Sequence, residues 1–208
     1  MNEFLLKTDI DEIVTRLKPH AADIEGRTVL VTGGRGFLGR YFTEVFAALN
    51  TSVLETPVRV LLLDNMITAG NAGSMEVTHP GIEFIKHNVI EPFDLDYVIH
   101  AAGIASPYYY RAYPMETLEV AITGTRNMLE LAERHDARFT FFSSSEIYGD
   151  PDPKHVPMQE SYRGNVSCQG PRACYDESKR VGETLCYIFH STKQHYDLIQ
   201  SYIKSQNI

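Results

Sequence analysis

The chain has 208 residues, of which 43% are hydrophobic and 22% are charged, and this length and composition are typical of one globular domain with its own core. Its net charge of −8 and the lack of a basic run argue against nucleic-acid binding. The three cysteines show no CxxC or zinc-ligand spacing, which predicts reduced thiols, a cytoplasmic location and no metal site. The stretch MNEFLLKTDIDEIVTRLK has no long apolar core, so neither a signal peptide nor a membrane span is predicted there.

Apolar periodicity predicts a lead-in helix followed by strands that alternate with helices. The lead-in helix spans residues 9–18, with Thr8 or Asp9 as its N-cap. Strands are predicted over 28–31, 58–64, 82–86, 96–103 and 138–142. Further helices are predicted over 36–49, 114–135 and 171–193. This alternation predicts a parallel sheet with helical crossovers, and therefore an α/β protein.

Between the first strand and the next helix the sequence reads TGGRGFLG. Gly33, Gly36 and Gly39 fit the pattern GxxGxxG, and Gly34 with the last two fits GxGxxG. Glycines at this spacing allow a sharp turn and a close backbone approach to a pyrophosphate at the N-terminus of a helix. Because the motif follows a strand and opens a helix, it predicts a Rossmann-type, doubly wound, three-layer domain that binds a dinucleotide.

Asp64 ends the second predicted strand, where a carboxylate can accept hydrogen bonds from both adenosine-ribose hydroxyls. Its charge repels a 2′-phosphate, which favours NAD over NADP as the cofactor. We interpret Arg35, which would argue for NADP, as a solvated loop residue. A plain loop-capping role for Asp64 stays open.

Tyr175 and Lys179, in YDESK, form a YxxxK pair whose spacing places both side chains on one face of a helix. A free phenol has a pKa of about 10 and is a poor base at neutral pH. A nearby ammonium and a positive nicotinamide favour the phenolate, which can then take a proton from a substrate hydroxyl. The alternative is a surface pair without a catalytic role.

These motifs together resemble those of the extended short-chain dehydrogenase/reductases that modify nucleotide sugars, within the NAD-dependent epimerase/dehydratase family. The resemblance runs from about residue 28 to about residue 193. It includes, in order, TGGRGFLG, Asp64-Asn65, HAAGIASP, SSSEIYGDP and GPRACYDESKRVGE. The last two motifs are most similar to those of UDP-glucuronate decarboxylases. The dTDP-glucose 4,6-dehydratases come next, and epimerases of the UDP-galactose type come third.

The resemblance implies a role for each residue of the catalytic motifs. In that family NAD stays bound and is recycled, while C4 of the sugar is oxidised to a ketone. Tyr175 is then the base on the 4-hydroxyl, Lys179 lowers the pKa of that base and holds the nicotinamide ribose, and Ser144 hydrogen-bonds the 4-oxygen.

The stretch Ser144-Ser145-Glu146 distinguishes between the activities of the family. The dehydratases have Thr-Asp-Glu, in which the aspartate protonates the departing 6-hydroxyl and the glutamate takes the C5 proton. A serine hydroxyl is too weak an acid for that protonation, so Ser145 favours decarboxylation, which needs no leaving-group acid. Glu146 would then position water or the sugar ring and manage reprotonation at C5.

The resemblance implies further contacts more weakly. The substrate positions are Ser106, Tyr110 and Ser144, although simple loop packing of the tyrosines at 108–110 is an equal alternative. His100 is interpreted as a strand-end residue and not as a ligand. The implied cofactor-binding residues are Gly33, Gly36, Phe37, Leu38, Gly39, Asp64, Asn65, Asn88, Val89, Ala101, Ala102, Gly103, Tyr175 and Lys179.

The chain departs from the family pattern at two places. Ala121 stands where many relatives have an asparagine that supports the active-site water network. After Lys193 the family continues with a sixth strand and a substrate domain, whereas here only residues 197–203 offer a rather polar candidate strand. We therefore expect a lead-in helix within residues 1–25 and an NAD-binding domain over 26–208 that is truncated after about the sixth strand, without its substrate domain.

The favoured activity is the conversion of UDP-glucuronate into UDP-xylose through a 4-keto intermediate. A dehydratase or epimerase of the same family stays open as an alternative. So does a protein of another class, a truncated NAD-binding module without catalysis. The resemblance also implies a homodimer in which the helices at 114–135 and 171–193 pair with their mates in a four-helix bundle.

Overall fold

The computed structural model describes residues 5–68, 79–86 and 94–205, with side chains described up to residue 193. The chain divides into two compact units. The first consists of Met1–Gly103 with Glu130–Phe142, and the second of Ile104–Leu129 with Ser143–Ile208. The glycine motif therefore belongs to the first unit, and the YxxxK helix belongs to the second.

The first unit is built on a parallel sheet in the order β3-β2-β1-β4-β5. Its short apolar runs suit strands that are covered on both faces. Every pair of neighbouring strands is parallel, so each connection must cross over from one end of the sheet to the other. The strands are β1 (Thr28–Thr32), β2 (Arg59–Asp64), β3 (Ile82–Lys86), β4 (Tyr97–His100) and β5 (Arg138–Phe141). All five predicted strands are confirmed, and so is the Rossmann-type arrangement.

The core of the first unit lies between the central strands and two helices, α1 (Lys7–Leu17) and α2 (Phe37–Ser52). Leu62 of β2 and Leu49 of α2 are completely buried in this core, together with Val31 of β1. Burying each such leucine contributes about 1.5–3 kcal/mol of stability. The lead-in helix α1 adds Ile10 and Val14 to this core, in line with its predicted apolar face.

The second unit contains most of the remaining helices. The predicted helix at 114–135 is a continuous helical run made of α4 (Pro114–Glu119), a π-helix (Val120–Gly124) and α5 (Thr125–Arg134), whose residues after Leu129 belong to the first unit. The buried Ala121 lies within the π-helix. A single π turn inside a helix occurs often at functional positions.

Two local features differ from the sequence-based predictions. Helix α1 begins at Lys7 after Leu6, whose side chain makes no cap hydrogen bond, so the predicted capping by Thr8 or Asp9 is wrong. A short helix, α3 (Pro107–Ala112), was not predicted. Its signal is Ser106 followed by a proline at the first helical position, which is a common start for a helix.

The candidate sixth strand at residues 197–203 is also wrong. Helix α6 begins at Ala173 and continues to Ser205, so the described residues hold five strands. Leucine, isoleucine and tyrosine recur at 198, 199, 202 and 203, which is a helical spacing and not the alternation of a strand. No proline or glycine interrupts the chain between Gly182 and Ser205, so nothing local ends the helix.

Candidate functional site

The glycine motif forms a tight loop between β1 and α2. Gly33 has a φ of +72°, and its N–H donates to the carbonyl of Leu63 at the end of β2 at 2.8 Å. The Gly36 N–H donates back to Gly33 O at 2.9 Å. A Cβ on Gly39 would lie 2.6 Å from the Cα of Gly34, closer than real Cβ contacts come. The loop is therefore packed so closely that glycine is required where α2 starts.

The same loop exposes the start of α2. Gly36 precedes the helix in an extended conformation and has no side chain with which to cap its first N–H groups. Phe37 and Leu38, the first two helical residues, are exposed. A helix of this length with free N–H groups at an exposed end attracts negatively charged groups such as a pyrophosphate.

Asp64 lies at the carboxyl end of β2 beside this loop. Its Oδ2 accepts from the Arg35 N–H at 2.9 Å, and its Oδ1 accepts from the Met66 N–H at 2.8 Å. A carboxylate has about four acceptor positions, so two remain for hydroxyl groups of a ligand. Asn65 is exposed, and its Oδ1 accepts from the Ile67 N–H at 3.2 Å.

Arg35 is not the freely solvated residue that we predicted. Its guanidinium carbon lies 5.0 Å from the centre of the Phe84 ring on β3, which is a cation–π distance. Burial lowers the pKa of Arg35, with a further lowering by Arg40 and an opposing effect of Asp64. The guanidinium is therefore held against the sheet.

The end of β4 closes the other side of the loop. The Ala102 N–H donates to Thr32 Oγ1 at 3.2 Å, and the same oxygen lies 2.6 Å from His100 Nδ1. His100 is the last residue of β4, as predicted, and is buried. A Cβ on Gly33 would lie 2.9 Å from Ala101 O, so the glycine loop and this strand end are in close contact.

These observations fit the phosphates and the adenosine ribose of a dinucleotide. The strand order reverses beside β1, and in parallel sheets of this kind a ligand binds at the carboxyl ends of the strands at that point. The glycine loop, Asp64 and the end of β4 all lie at that edge of the sheet. Asn88 and Val89, which were also predicted to contact the cofactor, lie outside the described residues.

In the second unit, Tyr175 and Lys179 lie one turn apart on α6 (Ala173–Ser205), with Lys179 Nζ 5.9 Å from the centre of the Tyr175 ring. Lys179 is only 8% exposed, and burial lowers its pKa. The Tyr110 ring stacks on the ring of Tyr175, with 5.4 Å between their centres. The backbone carbonyl of Tyr110 also accepts from Cys174 Sγ at 3.5 Å.

Tyr110 and Ser106 were predicted to contact the substrate. The structure places Tyr110 in α3 with 4% of its surface exposed. Ser106 is exposed at the start of α3, and its carbonyl accepts from the Tyr110 N–H at 2.9 Å. Their contact with a substrate stays a prediction.

The serines of SSSEIYG form a turn, and each has a different environment. Ser143 Oγ donates to Glu183 Oε1 on α6 at 2.5 Å, so it ties the turn to the helix. Ser144 precedes a 3-10 helix over Ser145–Tyr148, and its Oγ accepts from the Glu146 N–H at 3.3 Å. Ser145 is exposed at the start of that 3-10 helix.

The Glu146 carboxylate is held by an arginine that the sequence motifs did not single out. Arg172 Nη2 donates to Glu146 Oε2, and the same nitrogen lies 3.4 Å from Asp176 Oδ1. The signal available in the sequence was an arginine three residues before Tyr175, in GPRACYDESK. The structure thus connects the glutamate of the turn to the helix that bears Tyr175 and Lys179.

Neither a metal-ion cluster nor a membrane-spanning helix occurs among the described residues. Within residues 5–68, 79–86 and 94–205, no group of three or more His, Cys, Asp or Glu side chains is arranged to hold a metal ion. The thiols of Cys168, Cys174 and Cys186 are all free. Among the described helices, none combines the length and the apolar character that a membrane crossing requires.

The parallel sheet and the glycine loop of the first unit define a Rossmann-type chain suited to dinucleotide binding, and the second unit carries the YxxxK pair. The model of the NAD dependent epimerase/dehydratase family matches residues 29–199. The chain belongs to the NAD-dependent epimerase/dehydratase family.

Individual relatives agree with this assignment. UDP-glucuronic acid decarboxylase 1 of Danio rerio is 41% identical over 167 residues, which cover 78% of this chain and 38% of that protein. UDP-glucuronic acid decarboxylase 6 of Arabidopsis thaliana is 40% identical over 170 residues, covering 80% and 47%. A solved epimerase of Methanothermobacter thermautotrophicus matches with a TM-score of 0.65 and 26% identity, over 86% of this chain and 52% of that one. The chain spans less than half the length of these two curated relatives.

Proposed function

We propose that the chain acts in NAD-dependent nucleotide-sugar modification, as the catalytic part of an enzyme that decarboxylates UDP-glucuronate to UDP-xylose. The observation that carries this proposal is the attachment of Glu146, through Arg172, to the helix of Tyr175 and Lys179. This attachment keeps the tyrosine base, its partner lysine and the carboxylate of Glu146 within one unit. The identity of 41% to a UDP-glucuronic acid decarboxylase supports the choice of substrate.

The residues that would hold NAD are the glycine loop at 33–39, Asp64 with Asn65, and residues 101–103. The loop would bind the pyrophosphate through backbone N–H groups, and Asp64 would accept from the ribose hydroxyls. When bound, NAD would supply the oxidation of C4 of the sugar to a ketone and, at the end of the cycle, the return of the hydride to C4. The charge of Asp64 disfavours a 2′-phosphate and therefore NADP.

The chain's own residues would manage the protons. Tyr175 takes the proton of the 4-hydroxyl, and Ser144 donates a hydrogen bond to the 4-oxygen. A 4-keto uronic acid is a β-keto acid, so its C5–C6 bond breaks with loss of carbon dioxide and the electron pair is delocalised into the C4 carbonyl. Glu146 then manages the return of a proton to C5.

Ser145 decides between decarboxylation and dehydration. A dehydratase needs an acid there to protonate the departing 6-hydroxyl, and a serine hydroxyl does not ionise at neutral pH. Decarboxylation loses carbon dioxide and needs no such acid. The exposed position of Ser145 at the start of the 3-10 helix is compatible with a neutral, solvated hydroxyl.

The direct test is incubation of the chain with NAD and UDP-glucuronate, with products measured by mass spectrometry. We expect carbon dioxide and UDP-xylose, or its 4-keto precursor, in equal amounts. The Tyr175→Phe variant should lose at least about 100-fold in rate, since it lacks the proton acceptor. The matched control is Tyr113→Phe, which removes a hydroxyl from a half-exposed tyrosine at the end of α3.

Other outcomes point to the alternatives. Loss of water from dTDP-glucose would identify a dehydratase, and inversion at C4 of UDP-glucose would identify an epimerase. Tight NAD binding without turnover of any of these sugars would identify a binding module without catalysis.

We further propose a homodimer formed through the helices at 114–135 and 171–193. Large apolar side chains are exposed on both: Met115 is 64% exposed, Ile122 43%, Tyr187 72% and Ile188 48%. Large apolar side chains exposed on two helices of one unit suit a protein interface. Native mass spectrometry should show a dimer with NAD bound, and Ile188→Glu should convert it into a monomer. A wild-type monomer at micromolar concentration would contradict this assembly.

We propose a cytoplasmic location on the basis of the cysteines. The structure pairs none of Cys168, Cys174 and Cys186 in a disulfide, and Cys168 is exposed. Exposed free thiols suit a reducing compartment. Fractionation of cells that express the chain with a C-terminal tag tests this location.

A further inference from the structure

Arg172 lies at the junction of the catalytic turn and α6. Its Nη2 donates to Glu146 Oε2 and approaches Asp176 Oδ1 at 3.4 Å. A guanidinium Nη2 has two N–H groups, so one nitrogen can serve both carboxylates at once. The arginine thus bridges a carboxylate on the turn and a carboxylate on the helix.

The backbone of Arg172 is fixed at the same place. Its carbonyl accepts from the Tyr175 N–H at 2.9 Å and from the Asp176 N–H at 3.1 Å. Arg172 therefore belongs to the turn of chain that leads into α6 at Tyr175. The same stretch of backbone also fixes the position of Tyr175 at the start of α6.

Asp176 provides the anchor for the guanidinium. It is a buried carboxylate with 8% of its surface exposed, and a buried charge is tolerated when a cation pairs with it. Glu146 is different, because 34% of its side chain is exposed and it stands on a short turn. We therefore assign Asp176 as the residue that fixes the Arg172 guanidinium. The guanidinium in turn restrains the Glu146 carboxylate.

The turn has its own support from a second arginine. Arg180 Nη1 donates to the carbonyl of Ile147 at 2.8 Å, which ties the backbone of the turn to α6. That contact is to the backbone of the turn and does not involve the Glu146 side chain. The Arg172 contact is the described interaction that restrains the carboxylate itself.

We propose that Arg172 is a positioning residue that acts through Glu146, holding its carboxylate in place for the return of a proton to C5. This inference rests on the proposed function, in which Glu146 manages that proton. In this proposal Arg172 acts on Glu146 and not on the reacting atoms. Its effect should therefore appear in the rate of the chemical step and vanish when Glu146 is already replaced by glutamine.

The first experiment is a double-mutant cycle on the full chain with UDP-glucuronate. We expect Arg172→Gln to lower kcat by about 10- to 100-fold, because small misplacements of a proton-transfer group have effects of this size. KM should change by less than about 3-fold, since no substrate contact is removed. In the Glu146→Gln background, Arg172→Gln should change kcat by less than about 2-fold, because coupled residues are not additive. Losses that multiply would overturn the inference.

A conservative variant separates positioning from folding. Arg172→Lys keeps the positive charge and should recover part of the kcat lost in Arg172→Gln, although a lysine lacks the planar fork of an arginine. Equal losses in both variants, with equal drops in melting temperature, would indicate a structural role and would also overturn the inference.

The second experiment does not depend on turnover. Amide hydrogen exchange at residues 145–149 should speed up by about 5-fold or more in Arg172→Gln and in Glu146→Gln, without addition in the double variant. The matched control is Arg59→Gln, which removes the exposed Arg59–Glu83 ion pair in the first unit and should leave this exchange unchanged. Unchanged exchange in Arg172→Gln would overturn the inference. Faster exchange in a chain that never converts UDP-glucuronate would remove the proposed function while supporting the hold of Arg172 on the turn.

Discussion

The Tyr110 ring lies nearly parallel to the Tyr175 ring, with 5.4 Å between their centres and an angle of 15° between their planes. Tyr110 is buried, so it forms a solid support behind the phenol that we propose as the base. A stacked aromatic pair contributes about 0.5–1.5 kcal/mol beyond its buried area. The position of the Tyr175 ring therefore depends on a residue of α3.

Replacement of Tyr110 should test this support. Tyr110→Leu removes the stack and should lower the free energy of unfolding by about 1–2 kcal/mol and reduce kcat. Tyr110→Phe keeps the ring and should retain most of both. Urea denaturation and steady-state kinetics measure the two effects. A raised KM in Tyr110→Phe would contradict a purely supporting role, because it would indicate that the Tyr110 hydroxyl contacts the substrate.

Glycine at position 39 should be indispensable for the cofactor loop. A Cβ there would lie 2.6 Å from the Gly34 Cα, so Gly39→Ala must displace backbone. We expect a loss of about 1–3 kcal/mol in stability and a large loss of NAD affinity by calorimetry. The matched control is Gly124→Ala, whose nearest neighbour would be Glu119 O at 3.8 Å. Unchanged NAD affinity in Gly39→Ala would contradict the assignment of this loop.

Asp64 should determine both the affinity and the choice of cofactor. Asp64→Asn keeps the shape of the side chain but loses its charge and one acceptor oxygen. The backbone N–H groups of Arg35 and Met66 still need both acceptor positions. We expect NAD to bind about 10-fold more weakly, as for the loss of one hydrogen bond to a charged group, and the preference over NADP to narrow. Asp152→Asn is the matched control, because Asp152 accepts from a backbone N–H in the same way. An unaltered ratio of NAD to NADP affinity would refute this role.

The burial of Lys179 should lower the free energy of unfolding at neutral pH. Burial lowers its pKa below the ordinary lysine value of 10.5, so the unfolded chain binds more protons than the folded chain between the two values. The penalty is complete at pH values below the folded pKa and disappears as pH rises towards 10.5. Lys179→Met should therefore raise the free energy of unfolding at pH 7 by about 1 kcal/mol while abolishing turnover. The gain should shrink between pH 7 and pH 10, and a gain that grows would contradict the sign.

The thiols should differ in reactivity. Burial first, and then the charge of Glu183, raises the pKa of Cys186 to about 11, so the thiolate is scarce at pH 8. Cys168 is exposed. Iodoacetamide at pH 8, followed by peptide mass spectrometry, should modify Cys168 long before Cys186. Equal rates would show that the part of α6 around Cys186 opens in solution.

Local pattern was enough to predict much of the fold. Each of the five strands was predicted within a few residues, because a short apolar run bounded by turn residues is typical of a buried strand. The glycine motif likewise predicted its own turn, since the spacing of glycines reflects a local backbone requirement. The same kind of reasoning failed at residues 197–203, where a short apolar run suits a helix as well as a strand.

Amino-acid types and spacings by themselves determined the parallel α/β fold, the cofactor loop and the pairing of Tyr175 with Lys179, because those properties depend on residues that are close in the chain. The tertiary structure alone decided that Arg172 holds Glu146, 26 residues away, and that Tyr110 supports Tyr175. It also decided that Arg35 lies against Phe84. Contacts of this kind depend on where the fold brings distant segments together, and no local spacing specifies which of several arginines or tyrosines will meet a given partner.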